Sequence, residues 1–185
     1  NGAANVVGLI PMVALSLALL IGDGAAAYFS LRLGAGEREN AARGVGTALW
    51  AVSVAGLLVM GVCLRFLEPI LRLFGCTDVL LPYALEYGYL IVLGLPFALV
   101  TTALNSLIRA DGSPRFAMLS MIAGAVLNAC LDPILIFGLG WGLRGAAVST
   151  LVSQLLSFGL SLSYLRRFKS VRLRRGLLGF QARVF

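Results

Sequence analysis

Four polar residues have the types and spacing to hold a proton or a small hard cation inside an apolar medium: Tyr87, Asn128, Asp132 and Thr150. Asn128 and Asp132 stand four apart, so on a helix both project from one face. Carboxylate, amide, hydroxyl and phenol are all oxygen-bearing groups. Ionised Asp132 with Asn128 and Thr150 oxygens suits Na⁺, whereas a desolvated carboxylic acid holds a proton near neutral pH. Either would couple the protein to an ion gradient. Each residue also has a plain structural use: Asp132 paired within the fold, Thr150 bonded back to its own helix, Tyr87 in an interfacial aromatic belt. Asp23, in Ile21-Gly22-Asp23-Gly24, is a second deep acid. Its flanking glycines let a helix or a solute approach, so it either faces a cavity or anchors a structural hydrogen bond.

Other chemistry is poorly supplied. The chain has no His, and Cys63, Cys76 and Cys130 are widely spaced, which indicates neither a zinc site nor a disulfide framework. Without His the common general-base sets are missing, so no enzyme, cofactor or resident metal is expected. Gly34-Ala-Gly36 is a turn and not a phosphate loop, because no strand precedes it.

The elements that must position these residues follow from composition. Of 185 residues 59% are hydrophobic and 12% charged, against about half apolar and a quarter charged in a soluble domain. The surface of a soluble protein is missing, and the chain belongs in a membrane. Charged and turn residues cut it into five apolar segments, 4–31, 44–64, 81–108, 116–138 and 144–165, each long enough to span as a helix. Spanning segments are helical because a lipid-facing backbone must satisfy its own hydrogen bonds. The expectation is an all-α polytopic transmembrane bundle over 1–165, followed by a basic linker over 166–185. Thr77 or Asp78 can cap the third span, and Ser113-Pro114 provides a cap and an N-terminal proline for the fourth. Glu86 reads as a solvated acid near an outer helix start.

Within these spans Asp132 lies roughly 10 Å and Thr150 roughly 9 Å from the outer end, so they share a layer that Tyr87 enters from the third span. Pro133 removes a backbone donor there, which frees a carbonyl or bends the helix. Asp23 lies roughly 12 Å from the opposite end of its span. That difference in depth argues against an intramembrane aspartyl protease, whose two carboxylates must nearly touch.

The net charge of +7 is concentrated in the tail. Arg166, Arg167, Lys169, Arg172, Arg174, Arg175 and Arg183 stand there with no acid, while the first 165 residues balance. A basic stretch after an apolar segment orients a membrane protein, and no aromatic-rich basic surface exists elsewhere to bind nucleic acid. Arg32, Arg38, Arg43, Arg109 and Arg115 fall on the same side as the tail, against Arg65, Arg72 and Arg144 on the other. The positive-inside rule then puts residue 1 outside and the tail in the cytoplasm, and a chain starting in the cytoplasm would have an odd number of helices, most simply one, before Asn1. The tail leucines and phenylalanines, Leu173 to Phe185, could also lie as an amphipathic helix on the anionic inner leaflet. Arg32-Leu-Gly-Ala-Gly-Glu-Arg38 and Arg109-Ala-Asp-Gly-Ser-Pro-Arg115 are two similar tight loops, too short to establish a repeat.

Three stretches resemble one family. Ser30 to Arg43 resembles the loop after the second helix of the multidrug and toxic compound extrusion (MATE) transporters. Ile108-Arg-Ala-Asp-Gly-Ser-Pro114 is similar to that family's loop between helices four and five, and Leu127 to Thr150 to its helix five, turn and helix six. The resemblance implies helices two to six of the first lobe of a twelve-helix, two-lobe antiporter that exports organic cations or amphipathic drugs in exchange for H⁺ or Na⁺. It implies a bacterial inner membrane, lipid neighbours and a second six-helix lobe as partner. It also assigns the first-lobe cation site to Asn128, Asp132, Thr150 and Tyr87, with another site acid on helix one, outside this chain. Asp23 stands where a small or hydroxyl residue is expected. The nearest alternative is a lipid-linked saccharide flippase of the same superfamily, which would have several arginines in its cavity.

Overall fold

The computed structural model describes residues 7–170. The greater part of the basic tail, 171–185, with its expected amphipathic helix, lies outside the described residues. The chain runs through α1 (Leu9–Gly34), α2 (Arg38–Arg65), a short α3 (Leu67–Leu73), α4 (Leu81–Ala110), α5 (Pro114–Pro133) and α6 (Gly142–Ser163). One wide turn, Ile134–Gly138, prolongs α5, and a tighter one, Tyr164–Arg167, prolongs α6. Among the described residues five helices are long and apolar enough to cross a membrane. The fold is an all-α membrane bundle.

The bundle is built around α4. In its most apolar stretch 72% of residues are buried, against 28% or less in each of the other four spans. Leu95, Leu99, Leu104, Leu107 and Ile108 are closed off inside it, packed by α1 and α2 on one side and α6 on the other. The outer helices leave Met12, Leu20, Leu58, Met118 and Leu119 exposed, as a surface solvated by lipid or by further protein requires.

Between helices in lipid the hydrophobic effect contributes little, so close packing at small residues has to hold them together. Gly22 of α1 meets α4 so closely that a Cβ there would lie 2.7 Å from the Ala103 Cα. Gly56 of α2 meets α4 at Pro96, with a Cβ placed 3.0 Å from the Pro96 Cα. One glycine thus sets each of these two crossings.

The two similar loops have a simple physical origin. At Gly36 (φ 79) and Gly112 (φ 77) the chain leaves a helix in the left-handed conformation that glycine adopts without penalty. The following N–H reaches back five residues, Glu37 to the Arg32 carbonyl at 2.9 Å and Ser113 to the Ile108 carbonyl at 3.1 Å, the glycine-based helix stop. Leu71 to Cys76 does the same at Gly75. Three helix ends using one device make the similarity one of local chemistry. In the first loop Glu37 accepts from Asn40 and Arg32, and that amide and guanidinium hold its carboxyl below the usual range.

The helix starts differ from expectation. Asp78 turns back to pair with Arg72 at 2.8 Å and Leu80 precedes the first residue of α4, so neither Thr77 nor Asp78 caps it. Ser113 does precede Pro114 at the head of α5, but its hydroxyl makes no capping bond. Replacing Gly22 with Ala in the intact protein should cost about 1–3 kcal/mol of stability, the usual cost of overpacking, whereas Gly61→Ala, with no atom within 4 Å of the new methyl, should be neutral or slightly stabilising. Thermal unfolding in detergent measures both.

Candidate ion and solute site

Pro133 carries no N–H, and beyond it the chain winds into a wider turn. The Leu139 N–H bonds the Ile134 carbonyl, five residues back, at 2.9 Å. This turn gives α6 a place to approach. A Cβ on Gly145 would lie 2.8 Å from the carbonyl carbon and oxygen of Leu135, so only glycine lets the start of α6 lie against the end of α5. One turn further along α6 this closeness delivers Ser149 to Asp132.

Ser149 is fully buried and joins the two predicted residues of α5. Its Oγ accepts from the Asn128 Nδ2 at 2.9 Å and donates to the Asp132 Oδ1. Amide, hydroxyl and carboxylate thus form one chain of hydrogen bonds between α5 and α6. Tyr87 of α4 is half-buried and lies within electrostatic reach of the Asp132 carboxylate; no hydrogen bond joins them among the described residues. Thr150 is turned away from the carboxylate, its hydroxyl donating to the Ala146 carbonyl at 2.9 Å. The structure therefore groups Asn128 with Asp132, keeps Tyr87 nearby, and puts Ser149 in the bridging position that spacing had suggested for Thr150.

Ser149 belongs to a pattern visible in the sequence. Gly145, Ser149, Ser153, Ser157 and Ser161 recur every four residues, which on a helix is one continuous stripe. Ser157 donates to the Ser120 carbonyl at 3.2 Å and Ser161 to the Asn105 Oδ1 at 3.3 Å. Ser120 reaches the same oxygen at 3.2 Å. Except at Ser153, the serines of the stripe stitch α6 to α5 and α4.

Between these three helices is a cavity of about 300 Å³. Asn128 and Thr150 line it toward the Asp132 end, Gln154 and Ser153 its middle, and Thr101 and Asn105 its other end. Its lining has no ionisable side chain. The Ser153 hydroxyl, on a residue 6% exposed, is buried without a hydrogen-bond partner. An orphan hydroxyl in a cavity wall is a point where a solute or water can bond. The arrangement offers amides and hydroxyls to an amphipathic molecule beside a carboxylate.

Asp23 lies elsewhere. It is on the exposed side of α1, where its Oδ1 accepts from the Ser106 Oγ at 2.6 Å and stands 4.0 Å from the Arg109 guanidinium. Gly94 of α4 packs on Leu151 and Gln154, which are deeper along α6 than Ser149. Ser106 is twelve residues beyond Gly94, so the two carboxylates are about 18 Å or more apart along the bundle axis. They cannot share a proton, and the protease reading has no geometry. Glu86, expected to be solvated, is paired with Arg144, a tie between α4 and α6 above the site.

The described residues form a polytopic helical membrane bundle in which one carboxylate accepts from a serine hydroxyl that an amide supports in turn, next to an uncharged and largely apolar cavity. The MatE family model matches residues 2–134. The multidrug export protein MepA of Staphylococcus aureus (strain MRSA252) is 33% identical over 147 residues, which cover 78% of this chain and 33% of that protein. The outward-facing structure of a multidrug resistance MATE transporter of the MOP superfamily superposes with a TM-score of 0.89 at 25% identity, over 99% of this chain and 41% of that one. An inward-facing structure of such a transporter gives 0.88 at 26% identity, over 98% and 42%. The chain belongs to the MatE family and spans about a third of the length of the curated relative it matches.

Removing one donor to a charged group costs about 1.5–3 kcal/mol, roughly a ten- to hundredfold change in an equilibrium. Ser149→Ala in the full-length protein should lower the ion concentration needed for half-maximal transport by about that factor, because a carboxylate that has lost its donor gains more from a proton or a bound cation. Thr150→Ala should change it by less than threefold, because its hydroxyl is spent on its own helix. Transport in proteoliposomes against a stepped ion gradient separates the two.

Proposed function

We propose that this chain is most of the first lobe of a secondary antiporter that exports organic cations or amphipathic drugs in exchange for H⁺ or Na⁺. The observation that carries the reading is the Asn128–Ser149–Asp132 chain at one end of an uncharged, largely apolar cavity edged by amides and hydroxyls. An intramembrane carboxylate is costly and marks an ion or proton path by default. Here its partner is a neutral hydroxyl, held in turn by an amide, so its negative charge is left for a cation to neutralise. Thr150 and Tyr87 act as outer wall and electrostatic neighbour, and Asp23 belongs to a separate contact with α4. The similarity to MepA, a multidrug export protein, supports the substrate class.

The nearly equal fit to an outward-facing and an inward-facing transporter supports a lobe that moves as a body. Two lobes rocking about a central cavity would expose it alternately, and an ion at Asp132 would bias that equilibrium by binding one state more tightly. The lining speaks against the flippase alternative, since a cavity for anionic lipid-linked sugars would need arginines and this one has no ionisable group.

Asp132→Asn in the full-length protein should abolish uphill efflux while leaving expression and insertion unchanged. Undiminished transport against a gradient would overturn the assignment, and running the wild type under separate H⁺ and Na⁺ gradients identifies the ion. Orientation has its own test. In a cysteine-free background an impermeant maleimide added outside should label Val79→Cys and spare Glu39→Cys; the reverse pattern inverts the proposed topology.

A further inference from the structure

The basic residues where α5 begins and α6 ends form a cleft of about 540 Å³, lined by Gly112 to Phe116, Tyr164, Arg167 and Lys169. Arg115, Arg167 and Lys169 give it three positive charges. Among the described residues none of the three has a carboxylate within ion-pair distance, because the acids are engaged elsewhere. Asp23, Glu37, Glu39 and Glu86 each face another arginine, and Glu68 and Asp78 share Arg72. Asp132 is held by Ser149.

Asp111, the acid nearest the cleft, is 4% exposed and saturated. It accepts from the Tyr164 hydroxyl at 2.8 Å and from the Lys169 and Ser170 N–H groups at 2.9 and 3.0 Å. Those bonds fold the chain after α6 back under α5 and bring Arg167 and Lys169 opposite Arg115. Residues 171–185 contain four more arginines and no acid, so this chain supplies no further carboxylate side chain. Ser113, 8% exposed, adds a hydroxyl at the cleft wall that leans toward Tyr164 without a hydrogen bond of normal geometry.

From this charge accounting we propose that the cleft binds a phosphate-bearing anion, and specifically the headgroup of an anionic phospholipid in the leaflet next to the basic side. Two features favour the lipid as the source. The cleft is at the ends of two spanning helices, at headgroup level, and its wall includes Phe116 and Tyr164, whose rings pack at a tilt with centroids 4.9 Å apart; the buried Tyr164 backs the part-exposed Phe116, which presents apolar surface to the glycerol and upper acyl region. Guanidinium groups meet phosphate with paired hydrogen bonds, and each cation close to the surface strengthens anionic-lipid binding by about fivefold.

The test uses the full-length protein purified in a neutral detergent and native mass spectrometry, with phosphatidylglycerol, phosphatidylcholine or inorganic phosphate as the probe. Phosphatidylglycerol should be retained over phosphatidylcholine. A triple variant, Arg115→Gln, Arg167→Gln and Lys169→Gln, should weaken that retention by about a hundredfold, whereas Arg38→Gln, on the same side but outside the cleft, should leave it unchanged. Equal losses in the triple variant and Arg38→Gln would overturn the proposal by reducing it to diffuse attraction. Binding of inorganic phosphate with no preference for phosphatidylglycerol would overturn the lipid source. No retained anion in the wild type would mean that an acidic segment of the second lobe fills the cleft, and would overturn it outright. The maleimide labelling described above fails separately, because it reads sidedness and not lipid.

Discussion

A carboxylate inside a bilayer must find donors within the protein, and the placement of α5 and α6 answers that requirement at Asp132. The Ser149 hydroxyl meets it, and Asn128 holds the hydroxyl in turn. For Ser149 to arrive there, α6 has to lie against the backbone of the turn that follows Pro133, which Gly145 alone permits. Proline, glycine and serine at three positions on two helices thus form one device: a turn that opens, a helix that closes in, and a donor delivered to a half-buried acid. The serine stripe then extends that contact toward the other end of the bundle and leaves a cavity where one hydroxyl, Ser153, has no partner.

The helix at the centre, α4, makes this possible without being the site itself. It is buried along most of its length and serves as the wall against which α1 and α2 pack at glycines and α6 packs over Gly94. Its polar residues divide by level. Tyr87 and Glu86 belong to the ion-site end, Thr101 and Asn105 to the cavity, Ser106 and Arg109 to the contact with Asp23. Separation along one helix is what allows two membrane acids in the same small bundle to do different work. Asp23 has a cationic neighbour and a hydroxyl on the surface of α1; Asp132 has only neutral donors and stands beside a cavity.

Much of this was legible in the sequence because the signals were large. Five apolar runs, the turn glycines and the gathering of arginines on alternate loops fix the class of fold before any coordinates. The pairing of Asn128 with Asp132 followed from their spacing of four on one helix. Ser149 was not legible in that way, since the partner of Asp132 across a helix interface depends on how closely α6 approaches, and Thr150 next to it has the same chemistry. The stripe from Gly145 to Ser161 did carry the information: small residues every four positions mark the face of a helix that packs closely, and that face holds Ser149 and not Thr150. The failure of Thr77 and Asp78 to cap α4 has a similar cause, because Arg72 competes for Asp78 through a pairing that propensity alone does not reveal. Glu86 shows the same effect with Arg144.

The central claim is that Asp132 is the group on which the transported ion acts. Difference infrared spectroscopy of the full-length protein in lipid, with the Asp132 band assigned by subtracting the Asp132→Asn spectrum, observes that carboxyl group directly. The account predicts that titrating the driving ion, H⁺ or Na⁺, over the range that supports transport changes this band, and that adding an exported cation reverses the change. A band that stays the same through both titrations while transport proceeds would contradict it.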